Sequence, residues 1–141
     1  MQIDLRHFED FKGSDTLVLS GEPAAIEALA QTLEMLASSE DLGVAMHASF
    51  SAVGLGQLLV LKELVPIAGQ FRWLVSAGDF AEVAGKLRSV AAGAPAHQYF
   101  DLVEPETVLL VTSGEYPSEL FGHGSNNSFK VTPIGAPQLN R

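Results

Sequence analysis

Residues 71–93 read FRWLVSAGDFAEVAGKLRSVAAG, and residues 16–38 read TLVLSGEPAAIEALAQTLEMLAS. Each begins with a short apolar or β-branched run, the composition of a strand. Each then passes a glycine and enters a stretch with a helical period. Ile26, Leu29, Ala30, Leu33, Leu36 and Ala37 make one apolar stripe, and Phe80, Val83, Ala84, Leu87, Val90 and Ala91 make a second with the same spacing. The two stripes align at an offset of 54 residues. Pro23 suits a first helical turn, and Asp79 with Glu82 three residues on predicts a capping box. Gly93 predicts the stop of the second helix.

A hairpin is predicted after each helix. VAMHASFSAV (44–53) alternates, with Val44, Met46, Ala48 and Phe50 on one face. Gly54-Leu55-Gly56 reads as the turn, and QLLVLKEL (57–64) as the return strand. AHQYFDLV (96–103), the turn EPE (104–106) and TVLLVTS (107–113) repeat the order. From His47 to Lys62 the halves align without a gap at an offset of 50, with identities His47/His97, Phe50/Phe100, Val53/Val103 and Leu59/Leu109. A duplicated strand–helix–strand–strand unit is therefore expected, with pseudo-repeats 16–64 and 71–113 inside one domain, 1–113. QIDLRHF (2–8) adds an edge strand. The fold class is α+β, an antiparallel or mixed sheet with two helices on one face. Residues 114–141 are rich in Gly, Pro and Asn with isolated apolar anchors, the pattern of a tail that is draped over the domain or partly disordered.

The return strands are apolar on both faces. Leu58 and Val60 point one way and Leu59 and Leu61 the other, and Val108/Leu110 and Leu109/Val111 repeat this. A sheet with one wet face should alternate instead. Either these strands are central and buried on both sides, or a partner, such as a second copy in a homodimer, covers the second face.

Composition narrows the function classes. The chain has 141 residues, 47% hydrophobic and 18% charged, the balance of one globular domain. It has no cysteine, which removes thiol nucleophiles, disulfides and Cys-ligated metals. Its net charge of −9 opposes binding to nucleic acid, whose phosphates need cations, and suits a basic partner. No apolar run approaches the roughly 18 residues that span a bilayer. MQIDLRHFEDF has no basic start followed by an apolar stretch, so no secretory signal is expected, and a cytoplasmic location is.

Little in the chain looks like chemistry. No G-x-S-x-G elbow, GxGxxG or Walker loop occurs. Ser20 comes closest to a nucleophile position, but Glu22-Pro23 after it reads as a helix start. Glu104 and Glu106 flank a hairpin proline, where solvent leaves paired carboxylates untuned. His47 in HASF (47–50) and His97 in HQYF (97–100) raise a metal site. A metal needs three or four ligands, and no HxH, HxxxH or HExxH spacing supplies them. Both histidines are read as structural, equivalent strand positions of the duplication. No catalytic residue, cofactor or metal is assigned.

The order of the first half, an apolar strand, Gly21-Glu22-Pro23, the helix AAIEALAQTLEMLA (24–37) and a strand carrying MHASF (46–50), resembles small bacterial immunity proteins of the immunity-protein-32 type, found beside polymorphic toxins. The resemblance covers residues 16–61, with 71–111 as a more distant copy. No binding residue is carried over from the family. The resemblance implies a non-catalytic protein that binds and neutralises a cognate toxin acting in the cytosol. An acidic inhibitor would meet a basic toxin quickly through electrostatic steering. Glu40, Asp41, Asp101, Glu104 and Glu106 fall in predicted loops or a hairpin that a partner could reach. Two other classes stay open: a small cytosolic homo-oligomeric accessory or structural protein, and a small enzyme or ligand-sensing domain.

Overall fold

The structure, a computed structural model, describes residues 3–11, 13–50, 54–63, 71–103, 106–115 and 129–135. Its elements are β1 (Ile3–Phe11), β2 (Ser14–Gly21), α1 (Pro23–Ala37), β3 (Gly43–Phe50), β4 (Gly54–Leu61), β5 (Phe71–Leu74), α2 (Phe80–Ala92), β6 (Ala96–Val103), β7 (Glu106–Ser113) and β8 (Phe129–Ile134). The class is α+β with mixed strand pairing. The strands divide between two four-stranded sheets, β1-β2-β7-β6 and β5-β4-β3-β8.

The division follows from which strands pair. β2 lies parallel to β7, and β5 lies parallel to β4. Each opening strand thus joins the hairpin beyond the other helix, not the hairpin that follows its own. The two antiparallel hairpins, β3–β4 and β6–β7, sit in different sheets. Where the edges β5 and β6 approach, side chains meet, with the Trp73 and Phe100 rings tilted at 4.8 Å between centroids. β1 is the edge strand expected from residues 2–8.

Pro23 occupies the first turn of α1, where its missing N–H costs nothing, and Glu22 caps it through its carbonyl, which accepts from Ala25 and Ile26 at 2.9 and 3.0 Å. α2 begins differently. A 3₁₀ turn over Ala77–Asp79 leads into it, and Asp79 has helical dihedrals with no side-chain cap hydrogen bond. A capping box needs an extended N-cap whose oxygen can reach back to the first turn, so the one expected at Asp79 and Glu82 does not form. Gly93 closes α2, its N–H donating to Ser89 O at 3.0 Å.

Both apolar stripes face inward. Ile26, Leu29, Ala30, Leu33 and Leu36 of α1 and Phe80, Val83, Ala84, Leu87 and Val90 of α2 are buried in one core with Leu17, Leu19, Met46, Leu58, Val60, Trp73, Leu109 and Val111 from both sheets. Ala37, assigned to the stripe by period, is exposed at the helix end. The helices lie against each other, and their outer seam is polar. Arg88 of α2 donates from Nε to Glu27 at 2.8 Å and from Nη2 to Glu34 at 2.6 Å, while Nη1 meets the other Glu34 oxygen. The forked geometry of guanidinium suits this bidentate contact.

The return strands are buried on both faces, as their composition suggested, and the cover lies within the single chain. Val18 and Leu110, paired on the outer side of the first sheet, are 0% exposed. Leu59 and Leu61, on the outer side of the second, are 1% and 0% exposed and form a small cluster with Ala45 and Ile134. A second copy has no bare apolar surface to cover at these four residues. Gly54-Leu55-Gly56, expected as a turn, belongs to β4, with Phe50 paired to Gly54. Residues 129–134 of the expected tail form β8, antiparallel to β3. The remaining anchors of that tail, and the turn residues Glu104 and Pro105, lie outside the described residues.

Candidate protein-binding site

β6 reads AHQYFDLV and is the last strand of its sheet, hydrogen-bonded to β7 on one side, with β5 of the other sheet approaching its other edge. Its alternate residues Phe100 and Leu102 turn toward the core. His97, Tyr99, Asp101 and Val103 form the opposite row, and all four are exposed. Tyr99 at 46% and Val103 at 43% are two of the large hydrophobic residues most open to water among those described. The contrast within the sheet is sharp: on β2 and β7, the same outer face is closed over Val18, Leu110 and Thr112. Val108 of β7, across from Asp101, is half-buried, and the row on β6 is exposed.

The upper end of this row is held in place. His97 Nδ1 lies 2.9 Å from both carboxylate oxygens of Glu115, just beyond β7. The carboxylate can only accept, so Nδ1 carries the proton. Thr112, cross-strand from His97, has its hydroxyl 3.1 Å from Glu115 Oε1 and 3.1 Å from Ala96 O. The His97 ring meets Tyr99 edge-on with centroids 5.3 Å apart. Glu115 therefore orients His97, and His97 braces Tyr99. Asp101 follows at the next outward position, and Val103 pairs in register with Glu106.

The acidic residues singled out in the sequence separate into two places. Glu40, exposed, and Asp41, half-buried, occupy the turn between α1 and β3. That turn is tied down: the Asp41 N–H donates to Ser39 Oγ at 3.2 Å, and Lys62 Nζ donates to Ser39 O at 2.6 Å. Asp101 and Glu106 belong to the β6–β7 hairpin. Glu106 begins β7, and its side chain lies outside the described set, as does all of Glu104.

The histidines do not come together. His47 sits on β3 in the second sheet, in register with Gln57 and Lys130, and its side chain is not described. His97 sits on β6 in the first. They are not equivalent positions either. Met46 pairs with Leu58 as Phe100 pairs with Leu109, and these partners share the core, which makes Asp101 the counterpart of His47. The gapless offset of 50 missed this because it carried the alignment through hairpins of unequal length. Among the described residues, no group of three His, Asp or Glu could hold a metal ion, and no helix is long and apolar enough to cross a membrane.

Sequence reasoning missed Tyr99, Val103 and Glu115. The alternation in HQYFDLV carried a signal for the first two, because Phe100 and Leu102 claim the inward face and leave Tyr99 and Val103 outside. Nothing local marked Glu115. Comparison of the chain with family models, with characterised proteins and with solved structures gives no match.

Proposed function

We infer that this chain is a non-catalytic protein-binding module, an immunity protein that binds and neutralises a basic toxin acting in the cytosol. The observation that carries the reading is the strongly acidic balance of the chain, −9, with carboxylates such as Glu40 and Asp101 on its exposed surface. A surface of one sign speeds encounter with a partner of the other and rejects partners of like charge. The first half's resemblance to immunity proteins points the same way. At Leu59, Leu61, Val18 and Leu110 the two-sided apolar strands need no second chain to cover them.

The test uses the purified protein as bait in lysate of the source cell, with low-salt and high-salt washes. One basic protein should be retained in stoichiometric amount and released by salt. Purified bait and prey should then recombine, with the prey's toxic activity lost in the complex. A bait that holds nothing and runs as a stable homodimer would return the chain to the homo-oligomeric class.

A further inference from the structure

We propose that the outer row of β6 is the docking surface for this partner, with Tyr99 and Val103 as apolar anchors and the Asp101 carboxylate between them as the contact for a lysine or arginine of a basic protein. The proposal rests on the protein-binding reading above and gives it a location.

Three observations carry it. First, the row is exposed along its whole length, whereas Val18, Leu110 and Thr112 on the same face of β2 and β7 are fully buried. Isolated surface apolar residues are ordinary, but two on one face of an edge strand with an acid between them present a surface that binding can dehydrate. Secondly, Tyr99 is preorganised. Its ring lies edge-on to His97, and His97 is fixed by Glu115, which Thr112 also contacts. A side chain already held loses little freedom on binding, and tyrosine combines a broad apolar face with a polar tip, the character of residues that dominate interfaces. Thirdly, the charge has one sign. Asp101 lies between the two anchors, and the chain as a whole is acidic. The occupant that fits is therefore a cationic protein surface offering an apolar residue beside Lys or Arg, not a polyanion.

The turn at Glu40 and Asp41 is the competing location. Its carboxylates are not interleaved with apolar side chains on one strand face as Asp101 is with Tyr99 and Val103, and its backbone is tied to β4 through Lys62. It would steer a cationic partner without anchoring it.

Two linked measurements test the assignment. In the first, the full chain labelled with nitrogen-15 is titrated with a synthetic Lys/Arg-rich peptide containing leucine, at low and high salt. Saturable amide shifts centred on residues 97–103 and on 106–108 are expected, weakening at high salt. Tyr99→Ala and Asp101→Lys should each weaken the peptide at least tenfold, with Glu40→Lys changing it less than twofold. Both β6 side chains are exposed, so the variant spectra should otherwise match the parent. Shifts that centre on the helices or on the Glu40 turn, an absence of saturable shifts, or a Tyr99→Ala protein that binds as well as the parent each overturn the assignment.

The second measurement repeats the lysate capture with a Tyr99→Ala, Asp101→Lys double variant. Loss of a partner that the parent retains supports the docking surface. Equal retention by both proteins overturns the surface and leaves the protein-binding function standing. If the parent captures nothing while the peptide still maps to β6, the surface stands and the toxin-neutralising reading falls.

Discussion

β2-α1-β3-β4 and β5-α2-β6-β7 have the same order of elements, and their interiors correspond residue by residue. Leu17 pairs with Leu109 where Phe71 pairs with Leu58, and Leu19 pairs with Val111 where Trp73 pairs with Val60. Through the strand, the helix and the first hairpin strand the displacement stays at 54 residues: Leu17 to Phe71, Leu33 to Leu87, Met46 to Phe100. It becomes 51 after the hairpins, from Leu58 to Leu109, because Leu58 lies twelve positions after Met46 and Leu109 nine after Phe100. Glu34 and Arg88, also 54 apart, pair with each other across the helix seam.

The outer faces differ. β3 has β4 on one side and β8 on the other, whereas β6 ends its sheet. Counting by the same displacement, Gly43 and Ala45 of β3 correspond to His97 and Tyr99 of β6. Small residues occur where the outer face is covered, and large ones where it is exposed. A β-carbon on Gly43 would collide with the Val60 carbonyl oxygen, while the His97 side chain is exposed and held by Glu115 on the outer face of β6. The interiors of the two units thus match in pairing where their outer faces differ.

The largest effects should fall on the shared interior. Leu33→Ala and Leu87→Ala each remove a fully buried side chain, and each should cost about 3 kcal/mol in urea unfolding, within about 1 kcal/mol of one another. A much greater cost at one of them would show that the helices are not equivalent in the core. Next comes the outer face of the hairpins. Gly43→Ala should destabilise by about 2 kcal/mol through overpacking, whereas His97→Ala, on the exposed outer face of β6, should stay within about 0.5 kcal/mol. Equal costs would remove the distinction drawn between β3 and β6.

The smallest effect concerns the helix seam. The hydrogen bonds from Arg88 hold the Glu34 carboxyl below its ordinary value of 4.5. A carboxylate with a depressed folded value stabilises above its unfolded value, and the contribution disappears as pH falls through the folded one. The parent protein should therefore lose slightly more stability than Glu34→Gln between about pH 5 and about pH 3, with the exposed setting keeping the difference small. Thermal melts over that range check it. Identical profiles would mean that the pair is too well solvated to matter.

Much of the fold was legible in the sequence. The helix stripes at 26–36 and 80–90, the strand alternation and the two-sided return strands all depend on local period, and local period survives any tertiary arrangement. The acidic balance, the missing cysteines and the candidate carboxylates Glu40, Asp41 and Asp101 are likewise properties of the chain alone. Register was not legible. Apolar strands match one another at many offsets, so His47 aligned with His97 by letter while ladder pairing assigned it to Asp101. Nor could the sequence say that β2 would join β7 and β5 would join β4, that β8 would take the free edge of β3, or that the outer row of β6 would be exposed. Those outcomes depend on contacts between residues far apart in the chain. They turned Tyr99 from one more apolar strand residue into an exposed, braced side chain at the edge of a sheet.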